Sequence, residues 1–553
     1  MKEMTPWQRF VNMLELDRRD LRQILFYAIF AGLVALTLPL GIQAIINLIQ
    51  GAQVSTSWII LVVLVTLGVA FQGALQLMQV RILENIQQKI FTRSSFEFAY
   101  RFPKLKMSEL YDQYPPELAN RFFDTLTVQK GLSKILLDFP AAILQIIFGL
   151  MLLSFYHPFF IIYGFLLLIL VYLVFKFTAK KGLETSLAES KGKYRVAHWL
   201  QEIARSLISF KLSGRTSLAM ERNNTLTEQY LKARESHFKV LIIQFIQMIG
   251  FKVLVTAGLL IIGGLLVLNQ QMNIGQFVAA EIIILLVISS VEKLITGLES
   301  FYDVLTSLEK IGQVVDKELE SQKGSDPFDN NNNDCHIHID DVSYDTPETG
   351  NILTDIQLHI NIKDRILVDG LSGSGKTTLL KLLSGIIAPK KGNIYVNDIA
   401  YKGIKINSFR TQIGQVLPEQ NPFKGTILEN ITFGQPDITR ERVQEVLKIV
   451  GLKDFVRSQT NGLQTVLFPE GRQIPYTISK RILLARAIVH KPKLLLLKDA
   501  LEHFEREEAR SIIQYLVHPD RPWALVVASN SKEWKTTCNT YIKINAGKIV
   551  SKK

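Results

Sequence analysis

Six apolar stretches, each near the ~20 residues that a helix needs to cross a bilayer, fall within the first three hundred positions of the chain. They lie at about 24–49, 58–80, 134–156, 158–178, 240–268 and 276–298. Hydrocarbon offers no partner to a bare N–H or C=O, so such stretches predict helices that satisfy their own backbone. The third and fourth are parted only by Tyr156-His157-Pro158, where proline favours a break. The connections 51–57, 156–158 and 269–275 hold no Lys or Arg, whereas 81–133 and 179–239 are long and hold many of both. That bias predicts a multi-pass protein of the inner or plasma membrane with both termini and both long loops in the cytoplasm. It also accounts for much of the formal net charge of +13. No nucleic-acid motif accompanies that charge, so no nucleic-acid partner is expected.

Residues 1–22 form an N-terminal amphipathic or elbow segment without the apolar core of a signal peptide. Trp7, Phe10, Val11 and Leu14 recur at helical spacing beside Arg9, Arg18 and Arg19. Two readings stand: a helix lying at the membrane surface, or an ordinary buried helix. A transmembrane domain follows over 23–316, with helices that run beyond the bilayer through Arg81–Ser95 and Lys180–Ala197. Short amphipathic segments in the long loops, Phe102 to Pro116 and His198 to Gly214, suit docking on a soluble domain or plain solvation equally well. Lys252 in the fifth span and Glu281 in the sixth lie at different depths, which argues against their pairing. Each either snorkels to its nearer interface or lines a substrate pathway.

A polar linker over 317–333, with Asn330 to Asn333 at its end, precedes a soluble domain over 334–553. Both cysteines, Cys335 and Cys538, lie in this half, so there is no disulfide framework and a cytosolic setting is expected. Cys335-His336-Ile337-His338 reads as strand alternation rather than a zinc site, since no second Cys/His cluster completes one. Strands expected at His336–Ile339, Ile366–Asp369, Leu494–Leu497 and Ala524–Ala528 alternate with helical segments, as in an α/β domain.

The apolar run ending at Asp369 leads into Gly370-Leu371-Ser372-Gly373-Ser374-Gly375-Lys376-Thr377-Thr378 and then a leucine-rich helix. Glycines let successive N–H groups converge on one concavity, and the helix N-terminus behind them favours negative charge. The expected guest is the phosphate chain of ATP. Gly370, Ser372, Gly373, Ser374, Gly375, Lys376, Thr377 and Thr378 would hold it, with Lys376 on the outer phosphates and the Thr377 hydroxyl on Mg²⁺.

Six spans, two long loops and a C-terminal phosphate-binding domain together resemble a half-size ABC transporter of the exporter type. Gly425-Thr426-Ile427-Leu428-Glu429-Asn430-Ile431 resembles the segment after that family's Q-loop. Arg481 to Ala487, with Pro492-Lys493 and four leucines, resembles the stretch between signature and Walker B. Ser209-Phe210-Lys211 with Gly214 resembles the second intracellular loop, and Leu38-Pro39-Leu40-Gly41-Ile42 resembles haemolysin- and bacteriocin-type secretion exporters. Some of those carry an N-terminal cysteine peptidase. None is expected here, because no cysteine precedes Cys335 and the stretch before the first span is short. The fold implied is a six-helix α-helical membrane domain joined to an α/β P-loop nucleotide-binding domain. Partners implied are the lipid bilayer, a second half-transporter in a homodimer or heterodimer, and a periplasmic adaptor.

Carried across position by position, most of the family's catalytic parts are substituted, which marks a degenerate nucleotide-binding domain. The adenine-stacking aromatic falls on Thr346, with Tyr344 two residues earlier, and the Q-loop glutamine falls on Pro418, with Gln420 near. The signature becomes Ile474-Pro475-Tyr476-Thr477-Ile478. Lys498 replaces the metal-orienting aspartate, Asp499 the catalytic glutamate and Ser529 the switch histidine. Lys498 either supplies part of the charge of a missing Mg²⁺ or turns away into solvent. The resemblance implies an ATP-binding half-subunit that couples nucleotide state to export, with translocating ATP hydrolysis compromised. The competing readings are a non-hydrolysing, nucleotide-responsive regulator or scaffold of a secretion complex, and a nucleotide-gated channel.

Overall fold

The computed structural model describes residues 4–50, 56–328, 335–346 and 349–552. Most of the first connection, and the run from Asn330 to Asp334, lie outside them. The chain divides into two compact units, one running to Leu105 and resuming over Asp112–Lys317, the other comprising Lys106–Tyr111 and Glu318–Lys553.

The first unit is helical. Its main elements are α1 (Pro6–Glu15), α2 (Arg18–Ala35), α3 (Thr37–Gln50), α4 (Thr56–Arg101), α5 (Pro115–Asn120), α6 (Asp124–Ser133), α7 (Phe139–Ser154), α8 (Phe159–Arg205), α9 (Leu207–Leu212), α10 (Leu218–Leu268) and α11 (Ile274–Val315). Among the described residues five helical stretches are long and apolar enough to cross a membrane: Arg18–Gln50, Thr56–Lys104, Pro115–Ser154, Leu218–Leu268 and Ile274–Val315. The fourth expected span begins α8, whose apolar start runs over Phe159–Ile169. At a rise of ~1.5 Å per residue, α4, α8 and α10 far exceed one bilayer, as the periodicity past the spans predicts. Ile59, Ile60, Val63, Leu64, Leu67 and Phe71 of α4 are exposed, a face that water would not tolerate and lipid would.

Two spans are less regular than their composition suggests. The first breaks after Ala35, where Leu36 caps α2 and the Thr37 hydroxyl donates to the Val34 carbonyl at 2.7 Å. The third begins as a π-turn over Lys134–Asp138 before α7 takes over. Pro140, in the first turn of α7, has no N–H to give an α-type ladder, and the wider turn accommodates it.

The N-terminal helix is neither of the simple alternatives. Thr5 and Gln8 form a capping box with Pro6 in the first turn. Phe10 is buried edge-on to Phe301, and Arg9 is paired with Glu309 and Asp316 of α11. Trp7 and Val11 remain exposed. One face is packed, and the other is apolar and largely exposed, with the edge of the Trp7 ring still on Phe301.

Lys252 does not snorkel alone. Its Nζ lies 2.6 Å from Oε2 of Glu292 on α11, and Glu281 is not its partner, as their depths imply. Pairing lowers the cost of both charges at this depth. A double-mutant cycle of Lys252→Met and Glu292→Gln in bicelles is expected to give a coupling of about 1 kcal/mol; additive effects would show the pair to be idle.

The second unit is α/β. Its strands are β1 (His336–Thr346), β2 (Gly350–Asn361), β3 (Arg365–Asp369), β4 (Lys391–Val396), β5 (Ile399–Ala400), β6 (Ile413–Val416), β7 (Gly425–Thr426), β8 (Val466–Leu467), β9 (Leu494–Lys498), β10 (Ala524–Ala528), β11 (Thr540–Asn545) and β12 (Lys548–Lys552). One sheet has the order β2-β1-β4-β5, a second β12-β11-β3-β10-β9-β6, and β7 pairs with β8. In the six-stranded sheet β3 lies between β11 and β10, all parallel, with β9 and β6 beyond. Ile366 to Val368, Leu494 to Leu497 and Ala524 to Ala528 are buried throughout. Continuous apolar runs of this kind suit parallel strands covered on both faces. The alternation at Cys335 to Ile339 is strand alternation as expected, with Ile337 and Ile339 in the core. His338 stacks on His359 of β2.

Segment Lys106–Tyr111 of the first long loop belongs to this unit. The Lys106 amide donates to the Glu318 carbonyl at 3.1 Å, and the Tyr111 and Tyr344 hydroxyls are hydrogen-bonded. The helix of the second loop, α9, leaves Ile208 and Leu212 exposed.

Candidate functional site

The site lies at the carboxyl ends of β3 and β9, where parallel strands deliver their loops to one edge of the sheet. Arg365 anchors the start of β3, its guanidinium buried and donating to the Trp523 carbonyl at 2.7 Å. Beyond Asp369 the loop turns into the helix Lys376–Leu383, here α12, whose Leu379, Leu380, Leu382 and Leu383 are fully buried. A loop held by a buried strand and a buried helix has little freedom to wander.

Gly375 has φ +104, and a Cβ there would come within 2.6 Å of Leu353 Cδ2 and 3.1 Å of the Ile352 carbonyl. Only glycine fits that combination of angle and space. Lys376 is 6% exposed and folds over the loop, donating to the carbonyls of Gly370 and of Leu371, the latter at 2.8 Å. Ser374 is buried, and its hydroxyl has no hydrogen-bond partner. A buried hydroxyl left unmatched beside a ring of N–H groups is a vacancy in hydrogen bonding that an acceptor-rich ligand would fill. Ser372 and Gly373 are exposed, and Thr377 and Thr378 are half-buried at the start of α12. The structure therefore brings all eight residues of the expected phosphate cradle into one loop and helix start.

Asp369, just before the loop, was not among the expected site residues. Its carboxylate accepts the Gly370 N–H at 2.7 Å, the Tyr541 hydroxyl at 2.5 Å and the Lys535 ammonium at 2.8 Å. Burial works to raise its pKa, but these three donors together hold it below the ordinary carboxylate value. The contribution to stability is therefore present above about pH 4 and is lost as acid protonates the folded carboxylate. Lys535→Met is expected to lower the melting temperature by about 2 °C at neutral pH, with the gap closing below about pH 4. Fluorescence of the buried Trp523 and Trp534 would follow this unit.

Lys498 ends β9 and is not turned into solvent. Its side chain is 13% exposed and paired with the Asp499 carboxylate. Burial, followed by the proximity of Lys376, lowers its pKa. Asp499 adopts φ +47, and its N–H donates to the Ala528 carbonyl at 3.1 Å. Lys376 and Lys498 thus bring two ammonium groups near one edge of the sheet, with Asp499 engaged by Lys498 and Glu502 also favouring the Lys498 charge.

The remaining expected positions are scattered in role. Gln420 turns back so that its Oε1 accepts the Leu417 N–H at 3.1 Å, and Glu419 pairs with Lys381 at 2.7 Å. Ser529 is buried, its hydroxyl accepting the Ser531 N–H at 3.1 Å. Thr346 bonds Thr349 at 2.6 Å, while Tyr344 is buried against Tyr111. Pro475 caps the helix Tyr476–Val489, and the exposed Tyr476 ring lies edge-on to His503. Among the described residues no group of three or more His, Cys, Asp and Glu side chains is arranged to hold a metal ion. Lys535 and Tyr541 were missed because they reach Asp369 only through the β3–β11 pairing, which no local signal announces.

Residues 21–291 match the family model of the ABC transporter transmembrane region, and residues 353–502 match that of the ABC transporter. The alpha-hemolysin translocation ATP-binding protein HlyB of Escherichia coli O157:H7 is 29% identical over 307 residues, 55% of this chain and 43% of that protein. The leukotoxin translocation ATP-binding protein LktB of Mannheimia haemolytica is 25% identical over 351 residues, 63% of this chain and 49% of that one. The matched part thus spans about half the length of these curated relatives or less. In fold the chain is similar to a bacterial Atm1-family ABC exporter solved with ATP bound, with TM-score 0.84, 15% identity, and 97% and 95% of the two chains covered.

Proposed function

The chain belongs to the ABC transporter superfamily as an exporter-type half-transporter, its membrane region fused to its ATP-binding domain, and from that premise we propose that it binds ATP and converts nucleotide occupancy, with little or no hydrolysis, into movement of an export machine. The observation that carries this reading is the contrast at one sheet edge. The loop of Gly370 to Thr378 keeps its left-handed glycine, its buried lysine and an unmatched Ser374 hydroxyl. The neighbouring strand end offers Lys498 in place of a carboxylate. Binding groups are kept and cleaving groups are not.

Each part of the cradle has a task. N–H groups of the loop and of the first turn of α12 would face the phosphate oxygens, with the helix N-terminus adding favourable potential. Lys376 would leave the loop carbonyls it now meets and neutralise the outer phosphates. Asp499 stands at the position of the general base, but it is one methylene shorter than glutamate and tied to Lys498. The Lys and Arg bias of the loops supports a topology with both termini and the ATP-binding domain in the cytoplasm. The likeness to HlyB and LktB supports a dimer, with itself or with an intact half-transporter, and a periplasmic adaptor as a further partner.

A second reading, a nucleotide-responsive regulatory or scaffold subunit, draws on the same Lys498–Asp499 pair. Differential binding of ATP to two conformations is enough to drive such a switch without turnover. Measuring bound ATP and released phosphate on the purified chain, alone and with a candidate partner, tests both. Binding without release in every combination favours the switch; release that appears only with a partner favours the transporter.

A further inference from the structure

We propose that this loop takes its nucleotide without a divalent cation, the Lys498 ammonium supplying at the strand end the positive charge that a metal ion would bring. The inference rests on the proposed ATP site and goes beyond it in assigning the counter-ion.

The family's fold implies Mg²⁺ beside the phosphates, and the donor set does not fit it. Thr377 could offer a hydroxyl, but a hard divalent cation needs anionic or neutral oxygens around it. The strand-end position presents an ammonium instead. Of the carboxylates in the neighbourhood three are committed, and the fourth, Glu502, is exposed and acts on Lys498 from a distance. Asp499 pairs with Lys498, and Asp369 is saturated by Lys535, Tyr541 and the Gly370 N–H. Glu419 is held by Lys381. Gln420, two residues from Pro418, has its carbonyl oxygen on a backbone amide. A cation placed here would meet Lys376 and Lys498 before it met a free carboxylate, and like charges at contact are strongly unfavourable in a partly dry site.

The same arrangement suits bare phosphate. Lys376 is close enough to Lys498 to disfavour its charge, a cost that an anion beside both would remove. Lys498 is kept at the strand end rather than in solvent by its ion pair with Asp499 and by the packing around it, with 13% of its side chain exposed. An ammonium is a compact, rotatable donor that can follow phosphate oxygens as the ligand seats. Two lysines, one helix N-terminus and the loop amides together oppose the charge of a triphosphate, where a loop with one lysine needs an ion to complete the balance.

The test is equilibrium binding of ATP to the full chain in detergent, in EDTA and in excess Mg²⁺. Binding in EDTA at least as tight as in Mg²⁺ is expected. Lys498→Met should weaken binding in EDTA by about tenfold, the scale of one lost charge-assisted contact, without a change in thermal unfolding. Lys498→Asp should reverse the dependence, so that ATP binds only when Mg²⁺ is present. Parent protein that needs Mg²⁺ for binding overturns the inference while leaving the ATP site intact. Unchanged EDTA binding in Lys498→Met overturns it as well. Absence of binding in both buffers overturns the ATP site itself, and the inference with it.

Discussion

Phosphate release by the purified chain is expected to run at least about a thousandfold below that of an intact ABC exporter under the same conditions. Removing one preorganised contact to the transition state typically costs about 10²–10³ in rate, and in the register proposed above four such contacts differ. In that register Lys498 stands where a strand-end carboxylate would, and the adjacent Asp499 is paired with it. Ser529 spends its hydroxyl on the Ser531 amide and has no imidazole to offer. Pro418 has no side-chain donor for water, and Pro475 with Tyr476 replaces the serine and first glycine that would bring N–H groups onto the terminal phosphate. Losses within one catalytic unit do not add, so restoring one of them should recover little. Lys498→Asp alone is therefore expected to change the metal dependence of binding and leave release near background. Turnover by the unmodified chain at the rate of an intact exporter, with contaminating ATPase excluded by a Lys376→Ala control, would defeat the reading.

The elements that local sequence determines were legible, and those that depend on distant neighbours were not. The β3–loop–α12 unit announces itself because an apolar strand, three glycines and a leucine helix are contiguous. The spans announce themselves by length and composition, and the Pro158 break follows from backbone sterics. Lys252 illustrates the limit. Its depth could be counted along α10, but its partner Glu292 depends on how α10 and α11 face each other, and depth alone pointed to no pair. Asp369 is similar, since Lys535 and Tyr541 become neighbours only when β11 lies beside β3. The N-terminal helix shows a third case. Its periodicity was real, but Phe10 and Arg9 pack while Trp7 and Val11 stay exposed, so one stripe carried two faces. Lys498 was placed at the strand end by register alone; that it stays there, bonded to Asp499, needed the packing of β9.

Gly375→Ala is expected to weaken ATP binding by at least about a hundredfold, a loss of the order of two well-aligned charge-assisted hydrogen bonds, with the rest of the ATP-binding domain still folded. Two costs fall at this position together. At φ +104 an L residue is strained by about 1–3 kcal/mol. Its Cβ would also lie 2.6 Å from Leu353 Cδ2, which can yield, and 3.1 Å from the Ile352 carbonyl, which is backbone and yields less. The loop is the softer partner, so it should move away from β2 and turn the first N–H groups of α12 off their common centre. Hydrogen bonds to phosphate depend steeply on that aim. Two other glycines separate the causes. Gly373→Ala carries a left-handed angle of +79 within the loop but no contact for its Cβ, so a smaller loss of binding is expected. Gly434→Ala, at φ +69 and also free of contact, lies outside the loop and should lower stability without touching affinity. If all three variants bound ATP as the parent does, the nucleotide would have to sit somewhere other than this loop. If Gly434→Ala lost binding as fully as Gly375→Ala, general unfolding rather than loop geometry would be the cause.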